Sequence, residues 1–408
     1  MKKPLRNEIT GVLAEAGTRD RRKLVAIVTA LVVILAGVGT LLVARDRDGS
    51  TVTARDADGS TGTSSGGERQ PLIDPDEIVS GGPPPDGIPP LDEPTFEDPS
   101  EVAWLAAKEP VVAVEVKGDA VAYPLQILTW HEIVNDDVGG VPVAVTFCPL
   151  CNTAFAFERP VVDGKVTTFG TSGKLYNSNL VMYDRATNSY WPQVLGQAVT
   201  GPLTGTELER IPAQIVPWSE FRSAFPDARV LSRDTGFSRP YGENPYPGYD
   251  DTDNPPFLFS GESDGRLAAV ERVLGVESRD DVVAFPYFRL EASTSDGVSA
   301  VNAEVGSVPV VVLWQEGTVS ALDESAIATS QDVGAAAAFS RRLGDRVLTF
   351  QTGGGRIVDA QTRSSWNLFG KATDGKLQGR RLEPVDAADS FWFDWAAFHP
   401  DTTIWNAD

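Results

Sequence analysis

The sequence predicts a mainly β protein, of the β-rich α+β class. It would consist of two tandem degenerate repeats of short strands, each with a terminal helix, preceded by one transmembrane helix. Three observations support this prediction. A long uncharged apolar run lies near the N-terminus, short apolar segments bounded by Gly and Pro turn residues fill most of the remainder, and a series of motifs occurs twice in the same order.

The N-terminal region has the pattern of an uncleaved membrane anchor. Residues 1–23 contain seven Lys or Arg and three Asp or Glu, which is typical of a cytoplasmic flank. Residues 24–44 carry no charge, and at about 1.5 Å per residue they are long enough to cross a hydrocarbon core of about 30 Å. A cleaved signal peptide is the alternative, but its apolar core is usually only about 7 to 15 residues. The pattern predicts a single-pass protein of the cell membrane, with a cytoplasmic N-terminus and an extracytoplasmic C-terminal domain.

The rest of the chain is acidic and divides by composition. The formal net charge of −22 argues against nucleic acid and anionic lipid as partners. The membrane is expected as a partner through the N-terminal helix alone, and protein partners are unknown. Residues 45–70 are rich in Ser, Thr, Gly and Asp, which predicts a flexible tether. Residues 71–100 form a Pro-rich arm with apolar anchors, and we expect this arm to lie on the domain. The remaining part, about 300 residues, is long enough for two units.

An internal repeat divides that remaining part. Six motifs recur in the same order, among them Val121-Ala-Tyr-Pro-Leu125 with Val283-Ala-Phe-Pro-Tyr287 and Val141-Pro-Val-Ala-Val145 with Val308-Pro-Val-Val-Val312. The first repeat occupies residues 101–232 and the second, degenerate repeat residues 270–408, with a connector rich in Tyr and Pro at 233–269. The order of the motifs indicates a tandem duplication.

Residues that both repeats keep are expected to belong to the scaffold. Asp184 and Trp191 of the first repeat recur as Asp359 and Trp366, at one offset of 175. An Asp can begin a tight turn by accepting hydrogen bonds from the following amides, and a Trp can pack over that turn. We therefore predict an Asp-started turn under a Trp in each repeat.

Residues 130–148 predict a β-hairpin. Gly139-Gly140 is a two-residue turn signal between two β-rich segments, residues 130–138 and 141–147. With that turn, His131 lies directly opposite Cys148 across the hairpin. A four-residue loop, Asp137 to Gly140, would place His131 opposite Thr146 and still on the same face as Cys148. The sequence thus predicts that an imidazole and a thiol meet.

The only two cysteines, Cys148 and Cys151, lie in one motif, Cys148-Pro-Leu-Cys-Asn152. Together with His131 they form a soft donor set, which predicts a site for copper as Cu(I), or for zinc. In the second repeat Gln315 and Thr318 occupy the positions of the two cysteines, which predicts one active and one supporting copy. The candidate rim or second-shell residues are Met182, Lys174, Tyr176, Asn177, Asn179 and Asn152.

Two other functions fit the same cysteines. They can carry thiol–disulfide redox chemistry with His131 as proton partner, or form a structural disulfide in a non-catalytic scaffold. Residues 152–157 predict a strand, so no helix N-terminus follows the pair and a thioredoxin fold is not expected. The sequence does not indicate a catalytic role for any residue, and it leaves open whether the protein is an enzyme.

Several motifs resemble a bacterial and archaeal family known as domain of unknown function 3179. They are His131-Glu-Ile-Val-Asn135, the segment Phe147-Cys-Pro-Leu-Cys-Asn152, the stretch from Met182 through Asp184 to Trp191, and Asp234-Thr-Gly236 with Arg239-Pro-Tyr241. The resemblance covers roughly residues 74 to 290 closely and the second repeat loosely. It implies little about activity, so the expected chemistry depends on the residues themselves.

Overall fold

The computed structural model describes residues 51–55, 61–65 and 69–407, and within these residues the fold is mainly β. The helices in this part of the chain are short: Leu125–His131 (α1), Trp218–Ala224 (α2), Tyr287–Ala292 (α3) and Trp392–Phe398 (α4). Two single 3₁₀ turns lie at Pro75–Glu77 and Ile327–Thr329. The β-rich architecture agrees with the prediction.

The strands up to the connector are, in chain order, Thr51–Arg55 (β1), Thr61–Ser65 (β2), Ile78–Ser80 (β3), Phe96–Glu97 (β4), Pro110–Val116 (β5), Asp119–Pro124 (β6), Ile133–Val138 (β7), Val141–Cys148 (β8), Thr153–Glu158 (β9), Val161–Val162 (β10), Lys165–Val166 (β11), Phe169–Tyr176 (β12), Asn179–Asp184 (β13), Tyr190–Pro192 (β14), Arg210–Ile211 (β15), Ala213–Pro217 (β16) and Arg229–Leu231 (β17).

The strands after the connector are Arg272–Glu277 (β18), Val282–Pro286 (β19), Val298–Val305 (β20), Val308–Gln315 (β21), Ala335–Ser340 (β22), Arg342–Leu343 (β23), Arg346–Val347 (β24), Phe350–Gly353 (β25), Arg356–Asp359 (β26), Ser365–Trp366 (β27), Ala372–Asp374 (β28), Asp386–Phe391 (β29) and Thr403–Ile404 (β30).

The transmembrane part of the predicted fold and location requires correction. In the described part of the chain no helix is both long enough and apolar enough to cross a membrane. The longest helices there have seven residues. The described architecture is therefore a β-rich fold with short helices and without a membrane-spanning one. The predicted span, residues 24–44, lies outside the described residues, as does the predicted cytoplasmic segment 1–23.

Both repeats arrange their elements in the same way. In the first, β5 pairs antiparallel with β6 and with β16, and β17 runs parallel to β6. In the second, β18 pairs antiparallel with β19 and with β29, and β30 runs parallel to β19. Helices α1 and α3 follow β6 and β19 directly, and helices α2 and α4 follow β16 and β29. Helices α2 and α4 each directly follow an edge strand of the sheet. The terminal helix therefore occupies the same position in both repeats.

The Asp-started turn is present in both repeats, as predicted. The carboxylate of Asp184 accepts from the amide of Thr187 at 2.6 Å and from the indole of Trp191 at 3.1 Å. In the second repeat the carboxylate of Asp359 accepts from the amide of Thr362 at 2.6 Å and from the indole of Trp366 at 3.2 Å. Each carboxylate is fully buried and bonded to several donors, so the turn is a fixed part of the scaffold.

The predicted β7–β8 hairpin is also present. Val138 pairs with Val141, and Gly139 and Gly140 form the two-residue turn with φ of 58° and 74°. Such a turn needs positive φ at both central residues, which glycine adopts without steric cost.

The described residues that precede the first repeat include strands that pair with it. Strand β3 pairs with β12, and the backbone of Leu91 bonds on both sides to β7, through Ile133 and Asn135. Strands β1 and β2 form a hairpin whose first strand pairs with β10.

One of the apolar clusters extends across both repeats. The cluster of buried side chains that contains Phe147 and Cys151 of the first repeat also contains Phe391 and Phe393 of the second. The amide of Phe391 donates to the carbonyl of Cys151 at 2.8 Å. The second repeat therefore contacts the first at the loop that carries the cysteines.

Candidate functional site: a buried thiol pair between the repeats

The two cysteines lie where β8 turns into β9. Cys148 is the last residue of β8 and pairs with Thr153, the first residue of β9. The amide of Cys151 donates to the carbonyl of Cys148 at 3.2 Å, the hydrogen bond of a β-turn, which holds the two Cα atoms within about 7 Å. A disulfide spans Cα separations of about 4.4 to 6.8 Å, so this loop suits one. Both side chains are free thiols in this structure.

A strand, and no helix, follows the cysteine pair, as the sequence predicts. Residues Thr153–Glu158 form β9 and pair back onto β8. The pair therefore lacks a directly following helix whose N-terminus would stabilise a thiolate. The chemistry of the pair depends on the side chains and carbonyls around it.

The turn between β12 and β13 delivers one of those carbonyls. Asn177 and Ser178 form its two central residues, with φ of 49° and 70°. Positive φ is costly for a serine, and such conformations persist where the surrounding structure fixes them. Here the turn directs the carbonyl of Ser178 at both sulfurs, 3.4 Å from Sγ of Cys151 and 3.9 Å from Sγ of Cys148.

The second repeat contributes a carboxyl group, Asp394 from the first turn of α4. Its Oδ1 accepts from the side-chain amide of Asn179 at 3.1 Å, and its Oδ2 accepts from the hydroxyl of Ser390 at 3.1 Å. This carboxyl is also close to the thiol of Cys151, whose own hydrogen bond goes to the carbonyl of Ser178 at 3.4 Å. Complete burial raises the pKa of Asp394 to about 7, although Cys151, Ser390 and Asn179 favour the ionised form. The carboxyl can therefore gain or lose a proton near neutral pH.

The thiol of Cys151 is held in its protonated form. Burial raises its pKa well above the ordinary value, the hydrogen bond with Cys148 adds to this, and the charge of Asp394 adds further. An anion in this position would be desolvated and repelled by a neighbouring carboxylate. Loss of the Cys151 proton therefore requires an acceptor in direct contact.

The connector covers the pair. The hydroxyl of Tyr249 donates to the carbonyl of Leu150 at 3.0 Å and accepts from the amide of Phe257 at 3.3 Å. The hydroxyl of Ser178 bonds to the carbonyl of Phe257. As a result the two cysteines are 2% and 0% exposed, and solvent does not reach the sulfurs in this conformation.

A second buried acid, Glu132, lies beside the strand that ends at Cys148, since its backbone carbonyl accepts from the amide of Phe147. Glu132 ends helix α1 with φ of 58°, and burial raises the pKa of its carboxyl to about 8. Its charge raises the pKa of Tyr246, as does the charge of Cys148, so the phenol lies near both groups. The surroundings of the thiols thus contain two protonatable carboxyls and two buried tyrosines.

His131 is not part of the hairpin, and its predicted position opposite Cys148 is wrong. The apolar segment Leu125–His131 forms helix α1, and Glu132 in the left-handed conformation ends it, so β7 begins only at Ile133. Both imidazole nitrogens have other partners. Nδ1 lies 2.7 Å from the carbonyl of Pro89 and Nε2 lies 2.6 Å from the hydroxyl of Tyr241.

The predicted rim residues are divided between the site and the surrounding scaffold. Asn179 reaches the site through its bond to Asp394, and Asn152 directly follows Cys151 in the loop, with φ of 55°. The remaining four are placed as follows: Met182 is buried in the core and pairs with Trp191, Lys174 Nζ lies 5.6 Å from the centre of the Tyr190 ring, Tyr176 packs edge-on against Phe398, and Asn177 forms the hairpin turn.

The copper or zinc site predicted from Cys148, Cys151 and His131 lacks its third ligand, because the imidazole is bonded elsewhere. Within the described residues, no group of three or more His, Cys, Asp or Glu side chains is arranged to hold a metal ion. The two thiols remain a pair of soft donors.

Asp394 is the residue that sequence reasoning missed. The repeat itself contains the signal, because Trp218-Ser-Glu-Phe221 aligns with Trp392-Phe-Asp-Trp395 and places an acid in the first turn of both terminal helices. In the first repeat that acid is Glu220. Its carboxylate accepts from the side-chain amide of Gln315, which ends β21 as Cys148 ends β8. Each terminal helix thus places its acid against the other repeat.

These features define a class of protein: a mainly β fold of two tandem repeats, with an unbridged cysteine pair and a protonatable carboxyl buried where the repeats meet. The chain belongs to the family described as "Protein of unknown function (DUF3179)", whose profile matches residues 85–402. Comparison with curated proteins and with solved structures found no match.

Proposed function

We propose that Cys148 and Cys151 are a redox pair that converts reversibly between dithiol and disulfide, with Asp394 as the proton acceptor. The placement of the Asp394 carboxyl beside the Cys151 thiol carries this proposal: the carbonyl of Ser178 contacts the sulfur, and the next residue, Asn179, bonds the carboxyl. A carboxyl with a pKa of about 7 beside a thiol that holds its proton is the pairing that proton transfer at neutral pH requires. The turn across the pair supports it further, since its Cα atoms are close enough for a disulfide.

The reaction with a disulfide substrate has two steps. The sulfur of Cys148 attacks one sulfur of the substrate disulfide, which forms a mixed disulfide and releases one substrate thiol that carries the Cys148 proton. Cys151 then gives its proton to the Asp394 carboxylate and attacks the sulfur of Cys148. The second substrate thiolate leaves and takes up the proton from the Asp394 carboxyl, so the protein loses two electrons and two protons and the substrate gains them.

The roles of the two cysteines follow from their surroundings. Cys148 is the more exposed of the two, at 2% against 0%, and lies at the end of a strand. Cys151 lies deeper, against the carboxyl of the second repeat. The first is therefore the better placed to meet a substrate once the connector moves, and the second to resolve the mixed disulfide.

The test is a redox titration of the purified protein in glutathione buffers, followed by an acid quench, alkylation of free thiols and mass spectrometry of the intact chain. We expect a single transition between zero and two alkylated cysteines, reached from both directions. The same spectra, recorded under native conditions, report any bound copper or zinc.

Three results would overturn the proposal. Thiols that stay reduced in excess oxidised glutathione would exclude exchange, and a disulfide that resists excess dithiothreitol would indicate a structural bridge. A metal ion that copurifies at one per chain and protects both cysteines from alkylation would support the soft-metal site instead.

Asp394→Asn tests the role of the carboxyl with little change of shape. It should leave the midpoint of the titration measurable but slow its approach to equilibrium. Glu220→Gln is the matched control, since it changes the equivalent acid of the other repeat. If the Asp394→Asn protein equilibrates as fast as wild type, Asp394 is not the proton acceptor.

A further inference from the structure

Residues 234–241 of the connector, Asp-Thr-Gly-Phe-Ser-Arg-Pro-Tyr, have no part in the thiol chemistry, yet they surround His131. The ring of Phe237 packs on the imidazole with 5.4 Å between ring centres, and the ring of Tyr241 lies at 5.7 Å. Phe237 is also 45% exposed, so part of its ring is open to a ligand. The segment thus forms a surface patch that packs on the buried His131.

The hydrogen-bond directions in this network follow from the fixed acceptor at one end. The carbonyl of Pro89 can only accept, so Nδ1 of His131 carries the proton that bonds it. Burial lowers the pKa of His131 to about 4, so the ring is neutral at pH 7 and Nε2 is an acceptor. Tyr241 therefore donates to Nε2, and the hydroxyl of Thr235 donates to Tyr241. Every donor in this chain is in use.

Arg239 differs from these groups, because it has donors that are not in use. Its Nε is buried and has no hydrogen-bond partner, and its guanidinium makes no hydrogen bond or ion pair with any described residue. Arg159 and Arg341 also have a buried, unpaired Nε, but each bonds through its other nitrogens. An arginine presents a planar fork of donors, and a buried donor without a partner is costly.

The lack of a partner is notable in a chain with a net charge of −22. Asp234 and Glu243 lie within five residues of Arg239 in the sequence, and neither forms an ion pair with it in the described structure. Burial raises the pKa of Tyr241 and lowers that of His131, and the positive charge of Arg239 opposes the first shift and adds to the second. The surface therefore combines an unpaired cation, neutral polar groups that have no donor to spare, and one exposed aromatic ring.

We propose that Arg239 binds the oxyanion of a small ligand, a carboxylate or a phosphate, whose apolar part packs on Phe237. Bidentate hydrogen bonds from the guanidinium to the oxyanion would satisfy the buried Nε. The neutral His131 and the bonded Tyr241 keep the site free of competing charge. This site is separate from the thiol pair, and the proposal does not depend on redox activity.

The test is titration of the full chain with benzoate and with inorganic phosphate, followed by calorimetry and by the shift in thermal midpoint. Benzamide, which has the shape of benzoate without its charge, is the ligand control. Benzoate binding without phosphate binding indicates a carboxylate ligand, and the reverse indicates a phosphate. We expect at least one anion to bind and to raise the midpoint, and benzamide to do neither.

Variants locate the binding. Arg239→Gln should weaken binding by about tenfold or more, because the forked donor and its charge are lost. Arg239→Lys keeps the charge without the forked donor, and its affinity should lie between those of wild type and Arg239→Gln. Arg279→Gln, at an exposed arginine elsewhere, should bind like wild type. The proposal is overturned if wild type binds neither anion, or if Arg239→Gln binds as tightly as wild type.

Discussion

The carboxylate of Glu220 accepts a hydrogen bond from the side-chain amide of Gln315 at 3.1 Å, across the contact between the two repeats. This pair is the counterpart of Asp394 with the cysteine loop, since the acids begin equivalent helices and Gln315 and Cys148 end equivalent strands. Each terminal helix thus places its acid near a strand end of the other repeat, with Gln315 as the hydrogen-bond donor in one case and the cysteine loop nearby in the other. The position of the acid is common to both repeats, whereas the cysteines occur in the first repeat alone.

The first prediction concerns the pH dependence of disulfide formation. Asp394 has a pKa of about 7, so its carboxylate becomes available as an acceptor as the pH rises through 7. The rate of oxidation of wild type should rise with an inflection near that pH, and Asp394→Asn should lose the inflection and react about 10- to 100-fold more slowly above it. Stopped-flow oxidation by oxidised glutathione from pH 5.5 to 8.5, followed by tryptophan fluorescence, measures both. An inflection that persists in the Asn variant would assign it to another group.

The second prediction concerns stability and the buried acid Glu132. Its carboxyl has an ordinary pKa of 4.5 and a folded pKa of about 8, so between these values the folded protein holds a proton that the unfolded chain releases. The contribution to the free energy of unfolding is fully present below pH 4.5 and is lost as the pH rises to 8, at up to roughly 1.4 kcal/mol per pH unit.

Glu132→Gln removes this titration while it keeps a similar shape. Its free energy of unfolding, measured by urea denaturation at pH 5 to 8.5, should decline less steeply with pH than that of wild type. The exposed Glu101 provides the control, and Glu101→Gln should follow the wild-type curve. Parallel curves for Glu132→Gln and wild type would show that Glu132 does not retain its proton.

The third prediction concerns the duplicated turn. Asp184→Ala leaves the indole of Trp191 and the amide of Thr187 without their acceptor in the core, and Asp359→Ala does the same in the second repeat. Because the donors and distances match, the two variants should lose similar free energies of unfolding, each on the order of 3 to 5 kcal/mol. Urea denaturation gives both values, with the exposed Glu209→Ala as reference. Losses below about 1 kcal/mol would mean that water replaces the carboxylate at little cost.

The fourth prediction separates His131 from the cysteines. His131→Gln should leave the thiol titration and its rates unchanged, because the imidazole bonds to Pro89 and Tyr241 and to neither sulfur. The same variant should lose about 1 to 3 kcal/mol of stability, since the flexible amide does not reproduce the rigid ring that bonds Pro89 and the hydroxyl of Tyr241 at the same time. Tyr241→Phe, which removes that hydroxyl, is the matched control for the stability loss. A bound metal that disappears with His131→Gln would restore the imidazole as a ligand.

The sequence was sufficient for features that depend on neighbouring residues. The Gly139-Gly140 turn, its strand register and the Asp184 turn under Trp191 were all predictable, because turn chemistry and side-chain alternation are local. The repeat also predicted which positions carry scaffold.

Two features of the site were not predictable in this way. His131 ends a helix that its apolar neighbours favour as readily as a strand, and short apolar runs do not distinguish the two. Asp394 lies far from Cys151 along the chain, and only the contact between repeats brings them together. The sequence places a similar acid in both terminal helices, but it does not show which surface each helix meets.

The reciprocal contact between the repeats has a consequence for the origin and integrity of the site. A contact in which each partner offers the same helix to the same strand end is the isologous kind that joins identical subunits, so an ancestral single-repeat homodimer would have owned two equivalent centres. Fusion into one polypeptide frees one centre to diverge while the other keeps its sulfurs. Neither half of the present chain holds a whole centre, and fragments produced separately must reassociate before the sulfurs regain their carboxyl neighbour.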